Sequence, residues 1–459
     1  MGTISDKLMR IINTKEDIRQ ALISKGYDVP TSIPFKEYAK MISDLPCRVD
    51  SFPDIEGIVA RYSALGLTNE QMAANPVWVD KTGNGHDLQM KNFAWKEGSG
   101  ISDIYPGALV FDGVDDYGTC DNFPVLTKEK GYTVVALRQY LVEKSTAYLT
   151  ANGDSIPNTS FIFEGNNYKD TWNFGKATGI QASRILATQT SKQYDGVKLN
   201  IGTNAEGSNL LQVGKWSKSY SNVAIWELVF LDHDATEEEL TKIKDYFVKT
   251  YPWLFFDQAW TVTGKTNEDE DRATIANITG NSNDLVLSNF GFVEGSGYNE
   301  EGEYAGYLVT DGVDDKVVSA ESIAFTDTWT IITDTVFLGK VSVASGILAS
   351  NIFTVYNYQG SGTIAVTMGE GGSSLRVITS SIKAFSSDGT IYDAEWNEYH
   401  VEIGTIRALE RLLKIGTSSN ETSYFCQLAF KFLGIYNNQI LSKDDCIKAY
   451  NYLQTLKAK

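Results

Sequence analysis

Apolar residues fall in short, separated runs along most of the chain. The first half carries "YTVVALRQYL" (132–141), "SFIFEG" (160–165) and "NVAIWELVFL" (222–231). The second carries "WTIITDTVFLG" (329–339), "SNIFTVYNY" (350–358) and "QLAFKFLGIY" (427–436). These runs are rich in β-branched and aromatic residues and are punctuated by Gly, Asn, Asp and Ser. That is the pattern of many short strands in an antiparallel sandwich or jelly roll. Helical periods alternating with strands, as a parallel sheet requires, do not occur.

Helical spacing occurs at three places. In "DATEEELTKIKDYFVKTYP" (234–252), Thr236 stands as N-cap with Glu239 three residues on, ahead of an apolar stripe of Leu240, Ile243 and Phe247. Near the C-terminus Ser442 and Asp445 take the same places before Ile447, Tyr450 and Leu453. The first fifty residues hold the third. Leu8, Ile11, Lys15, Ile18 and Leu22 follow a heptad seam interrupted by the lysine, and Gly26 closes the segment. After Pro30 and Pro34, the residues Phe35, Tyr38, Ile42 and Leu45 share one face. The pattern predicts a short α-helical hairpin. Helices this short are marginal alone and must bury their stripes on something. The partner is either the neighbouring sandwich or a docking or oligomerisation surface.

A long repeat sets the organisation of the rest. "KTGNGHDLQMKNFAWKEGSG" (81–100) aligns with "ITGNSNDLVLSNFGFVEGSG" (278–297) at an offset of 197. "DGVDD" recurs at 112–116 and 311–315, an offset of 199. "YTVVA" meets "WTIIT", "LNIGT" meets "LKIGT", and "AIWELVFLD" meets "AFKFLGIYN", all in the same order. The expected organisation is a helical segment over 1–50, then two tandem sandwiches over 52–252 and 253–459. A period this long gives each copy its own core.

The chain has 459 residues, of which 42% are apolar, enough to bury those cores. Its net charge of −18 has the wrong sign for a nucleic-acid partner, which needs cations to displace phosphate counterions. No apolar run is long enough to cross a bilayer, and the first residues show no signal-peptide core. Cys47, Cys120, Cys426 and Cys446 form no C-x-x-C pair, so reduced thiols are expected.

The repeated pentapeptide admits three readings. As a turn, Asp112–Gly113 and Asp311–Gly312 bend the chain between two strands. As a calcium site, Asp112, Asp115 and Asp116, with Asp311, Asp314 and Asp315, would offer carboxylate oxygens to a hard cation. As a glycosidase centre, two carboxylates would face one sugar. No E-x-D-x-x-E run accompanies them, nor H-E-x-x-H or G-x-S-x-G. His86 gives way to Asn283 in the second copy. The turn is the reading adopted, and the chain is expected not to be an enzyme.

In both halves, T-G-N-x-x-D-L, D-G-x-D-D, the β-rich runs, L-x-I-G and a last strand with a capped helix come in the same order. This series resembles the laminin-G-like, or concanavalin-A-like, jelly-roll superfamily. The resemblance implies two-sheet jelly rolls of the kind often used to bind glycans or proteins, some of them with calcium. "INTKEDIRQALISKGYDVP" (12–30) and "FKEYAKMI" (35–42) are similar to N-terminal segments of tailed-bacteriophage virion proteins. That likeness implies a head or tail fibre or surface decoration protein, made in the host cytoplasm and located on the virion. Leu8, Ile11, Ile18, Leu22, Phe35, Tyr38 and Ile42 would anchor it to other virion proteins. It further implies a homo-oligomer, with a trimer expected for fibres, and jelly rolls that contact host surface glycans; the alternatives are a glycan-degrading enzyme on the same fold and a purely structural virion component that binds no glycan.

Overall fold

The computed structural model describes residues 15, 19, 52–127, 129–142, 149–153, 161–163, 176–177, 185–191, 208–280, 282–339, 345–350, 353–357, 364–368, 374–377, 381–404, 410–417 and 425–458. Residues 1–54 and 55–459 cluster as separate units. In the first unit Lys15 and Arg19 are helical. The expected anchor residues Leu8, Ile11, Ile18, Leu22, Phe35, Tyr38 and Ile42 lie outside the described residues.

The rest is mainly β, as the run pattern predicts. In the first half one antiparallel sheet runs in the order Lys176–Ala177, Leu186–Thr190, Thr133–Tyr140, Asn222–Leu231, Ala108–Asp112, Gly100–Ser102, with Ile58–Ser63 also paired to Asn222–Leu231. The facing sheet runs Val77–Trp78, Leu88–Lys91, Tyr117–Cys120, Leu211–Val213, Thr150–Asn152, Phe161–Phe163. The second half repeats both orders around Leu428–Asn437 and Lys316–Ser319, and extends one sheet with Ile364–Met368 and Ser374–Val377. Alternation along each strand sends one set of side chains inward. Leu109, Phe111, Val134, Ile225, Leu228 and Phe230 lie in one buried cluster. Leu308, Ile331, Phe385, Leu428, Phe430 and Leu433 lie in another. Each sandwich therefore closes over its own core.

A bulge interrupts the alternation at the same place in both copies. Ile225 pairs with Arg138 and Glu227 with Leu137, leaving Trp226 unmatched. Phe430 pairs with Thr335 and Phe432 with Asp334, leaving Lys431 unmatched. An extra residue in one strand re-aims the side chains beyond it. Past the second bulge, Leu433 and Ile435 return to the core and Phe432 and Gly434 face outward.

The C-terminal helix Lys443–Gln454 lies on that outward face. A Cβ on Gly434 would stand 2.8 Å from Leu453 Cδ1, so a larger residue there would push the Leu453 side chain aside. The buried positions of this helix are Cys446, Ala449, Tyr452 and Leu453. This corrects the expected stripe of Ile447, Tyr450 and Leu453: only Leu453 is fully covered, and Tyr450 sits at the helix flank, half-buried. Thr236 and Glu239 form the full capping box expected of the helix Glu237–Thr250. At Lys443–Gln454 only the Ser442 cap forms, accepting from Asp445 N–H. Among the described residues no helix is long and apolar enough to cross a membrane. Cys120, Cys426 and Cys446 are buried free thiols.

Candidate functional site

The repeated sequence blocks converge on one corner of each sandwich. In "DGVDD", Asp112 Oδ1 accepts the N–H groups of Val114 (2.7 Å), Asp115 (3.2 Å) and Asp116 (3.5 Å). Asp116 Oδ2 in turn accepts Asp112 N–H at 3.0 Å. Asp311 and Asp315 repeat every one of these bonds. Gly113 and Gly312 take φ of 75° and 76°, as the bend requires. Asn92 and Asn289, both left-handed, donate from Nδ2 to the carbonyls of Asp115 and Asp314 at 2.9 and 3.0 Å. The serine of each EGSG block, Ser99 or Ser296, bonds the buried aspartate of its own copy. The blocks recur because together they build this corner. "TGNxxDL" closes the loop before it: Asp80 or Asn277 takes the threonine N–H and hydroxyl, and Asp87 or Asp284 takes the N–H of residue 80 or 277.

Each trio brings one oxygen from each carboxylate within 4.8 Å of the others. Asp116 and Asp315 are fully buried, and Oδ1 of each lacks a hydrogen-bond partner of good geometry. Burial pushes Asp116 up to about 6 and raises Asp315 as well, against the hydrogen bonds each accepts from backbone and serine. Three monodentate oxygens are about half of what calcium takes, and Oδ1 of Asp112 and of Asp311 already serves three N–H groups. The chemistry of the corner is that of a closed turn whose buried carboxyl holds its proton into the mildly acidic range.

A second feature arises on the outer sheet face of the second sandwich. Tyr307 Oη donates to Asp334 Oδ2 at 2.9 Å, and Tyr450 bonds the same carboxylate. Lys431, the bulge residue, holds its Nζ 5.1 Å from the Tyr307 ring centre. Lys383 Nζ lies 4.8 Å from the Tyr450 ring and 5.2 Å from that of Trp396. Trp396 meets Tyr450 edge-on at 5.6 Å, and Tyr304 meets Tyr307 at 6.0 Å. Asp334 is 6% exposed, whereas Tyr304, Tyr307, Lys383, Trp396, Lys431 and Tyr450 are half-buried. Burial raises Asp334, with the two tyrosine hydroxyls and the two lysines working the other way.

Trp396 stands at φ 62°, a costly conformation for a large side chain. Asp393 secures it. Its Oδ1 accepts the N–H groups of Glu395 and Asn397, and its Oδ2 accepts from Asn397 Nδ2 and the Tyr399 hydroxyl. Burial works to raise this carboxyl, but the hydrogen bonds prevail and hold it below the usual carboxylate range.

The first sandwich uses the corresponding face differently. The register places Ala108 at the position of Tyr307, Leu137 at that of Asp334 and Trp226 at that of Lys431. Trp226 is fully buried, donates its indole N–H to Pro106 O at 2.9 Å and meets the Tyr452 ring at 6.2 Å. Tyr452 donates to Gln139 Oε1 at 2.8 Å. At these positions the first copy's face is thus apolar and meets the C-terminal helix of the second copy through Tyr452, while the second copy's is aromatic, charged and partly open.

The stripe is invisible in any single stretch of sequence, because its residues span 304 to 450. The bulge that turns Lys431 outward also defeats simple alternation. A further motif is shared by the two copies ahead of the repeated blocks: "GLTNE" (66–70) and "GKTNE" (264–268). Asn69 and Asn267 pair both amide groups with the backbone of Ile101 and Tyr298, respectively.

No family model matches the chain. No curated protein matches it either. Among solved structures it is similar to a Trypanosoma rangeli sialidase in complex with sialic acid, at 10% identity and a TM-score of 0.31, over 50% of this chain and 40% of that one. It is also similar to a structure describing ganglioside-dependent cell entry of botulinum neurotoxin type C, at 13% identity and a TM-score of 0.29, over 43% and 51%. A third, described as a receptor binding domain, gives 12% identity and a TM-score of 0.28, over 45% and 53%. The chain thus spans well under two thirds of these proteins, and the likeness concerns the β-sandwich alone. It corrects the expectation that the chain is not an enzyme, because sialidases stand among the similar structures. That expectation rested on a missing carboxylate pair. Glycoside hydrolysis does not always proceed through a carboxylate pair, so the missing pair does not decide against an enzyme.

Proposed function

We propose that the chain is a glycan-contacting virion surface protein, held to the particle by its first fifty residues. The Tyr307–Asp334–Tyr450–Trp396 stripe would be its contact face. The observation that carries this reading is the contrast between the copies: equivalent positions are apolar and covered in the first, aromatic and partly open in the second. Aromatic rings offer flat apolar faces to sugar C–H groups, and fixed polar groups beside them set orientation. The virion placement is supported by the N-terminal resemblance alone. Jelly-roll modules of laminin-G-like kind fit both parts.

A glycan array with the full chain and Trp396→Ala tests the contact face. Signals from the native chain that fall at least about tenfold in the variant support the reading, since one stacked aromatic is worth on the order of 1 kcal/mol or more. Equal signals from both proteins overturn it. Assaying recovered glycans for released sugar tells a processing enzyme from a binding protein.

A further inference from the structure

We propose that the outer-face stripe of the second sandwich selects saccharides bearing a carboxylate, with Lys383 and Lys431 as the cations that receive it. This rests on the glycan reading above and narrows its ligand. Each lysine is half-buried and holds its ammonium beside aromatic rings: Lys431 over Tyr307, and Lys383 over Tyr450 and Trp396. A carboxylate offers such an ammonium a charge partner that a neutral sugar does not. The acid that both lysines feel is Asp334. That carboxylate already accepts the Tyr307 and Tyr450 hydroxyls, and it is one acid set between two ammoniums. Each ammonium carries three donors in free rotation, suited to a carboxylate of unspecified approach.

Asp334 is a positioning residue in this arrangement. It fixes Tyr307 and Tyr450, whose rings in turn seat the two lysines at the sides of the stripe. The first sandwich carries none of this at the equivalent places, where Ala108, Leu137 and Trp226 make an apolar, covered face. Within a chain of net charge −18, two such lysines on one sheet face form a local cationic spot. Acidic ligands would be repelled elsewhere on the surface and attracted there, which is a device for specificity.

The test uses the full chain on an array holding sialylated, uronic-acid-containing and neutral glycans, each acidic glycan paired with its carboxyl-reduced form. Retained glycans are titrated by calorimetry against native protein, Lys383→Gln, Lys431→Gln and Trp396→Ala, with near-UV circular dichroism to verify folding. The expected result is binding confined to carboxylate-bearing glycans, weakened about tenfold by either lysine substitution and by carboxyl reduction. Trp396→Ala is expected to weaken every bound glycan. Equal binding of acidic and reduced forms, or lysine variants that bind acidic glycans normally, overturns the carboxylate selectivity and leaves the glycan reading standing. No binding to any glycan overturns both.

Discussion

At the scale of single residues, the corner aspartates account for most of what the sequence repeat encodes. Asp112 and Asp311 each satisfy three N–H groups that would otherwise be left at a tight bend. Replacing either by alanine should cost about 1–2 kcal/mol in chemical unfolding, the range found when a side-chain cap is lost. Gly312→Ala should cost more than Gly66→Ala. Both glycines are left-handed, but a Cβ at 312 meets Gln427 N at 2.9 Å whereas one at 66 meets nothing within 4 Å. Asp116 predicts a pH effect. Its folded pKa of about 6 lies above the unfolded carboxylate value, so the folded state binds the proton more tightly. That contribution is complete below about pH 4 and is lost as pH rises through about 6. Asp116→Asn should therefore flatten the stability profile across this window, by on the order of 1–3 kcal/mol. An unchanged profile would show that Asp116 is not the group responsible. The same buried carboxylates decide the calcium question. Added calcium should leave the melting temperature of chelator-treated protein unchanged, and a rise of several degrees, as ligand binding to the native state produces, would assign the trio to an ion.

At the scale of elements, the two copies solve one packing problem in two ways. Each ends with a helix, and the strand pair beneath the first bears Arg61 and Glu227 where the second bears Ala259 and Phe432. Arg61 bonds Glu227 through Nε at 3.0 Å and Nη2 at 3.1 Å, and Nη2 also reaches Tyr246. Tyr251 donates to Glu227 at 2.7 Å. Both ions are buried, so removing one strands the other. Arg61→Ala alone should cost about 3–5 kcal/mol, whereas Arg61→Ala with Glu227→Phe, the second copy's own pair, should cost clearly less. Denaturant melts of the two variants check this, and equal losses would sink it. The β-rich runs, the jelly-roll class, the repeat and the capped helices were legible in sequence because each rests on local pattern: alternation, punctuation and a Ser/Thr cap. The stripe was not, because Tyr307, Asp334, Lys431 and Tyr450 become neighbours only through sheet order and a bulge. The C-terminal helix was misread by one position for a related reason. Its buried face is settled by packing on a distant strand, where Gly434 leaves room for Leu453 and Tyr450 stands at the flank.

At the scale of the molecule, the sandwiches are joined by more than a linker. Trp226, Tyr452 and Gln139 bring the first copy's outer sheet face against the second copy's C-terminal helix, and the Trp253 ring lies within reach of Gly107. A face buried in this way couples the two copies in unfolding. Tyr452→Ala should lower the melting temperature of both and resolve one calorimetric transition into two, and a native chain already showing two would refute the coupling. Among the described residues the arrangement leaves one such stripe, since the first copy's equivalent positions are occupied by the contact. A single weak glycan site gains useful strength only when several are presented together, because each further contact then forms at high effective concentration. The first fifty residues are the part of the chain proposed to supply that assembly. Deleting residues 1–50 should leave the affinity of the stripe for a monovalent glycan unchanged while abolishing retention on particles and lowering binding to a glycan-coated surface by about a hundredfold or more, the scale on which avidity operates. Calorimetry, particle sedimentation and surface binding measure the three quantities separately. Undiminished sedimentation with particles would remove the anchoring role, and undiminished surface binding would remove the assembly on which a one-site chain depends.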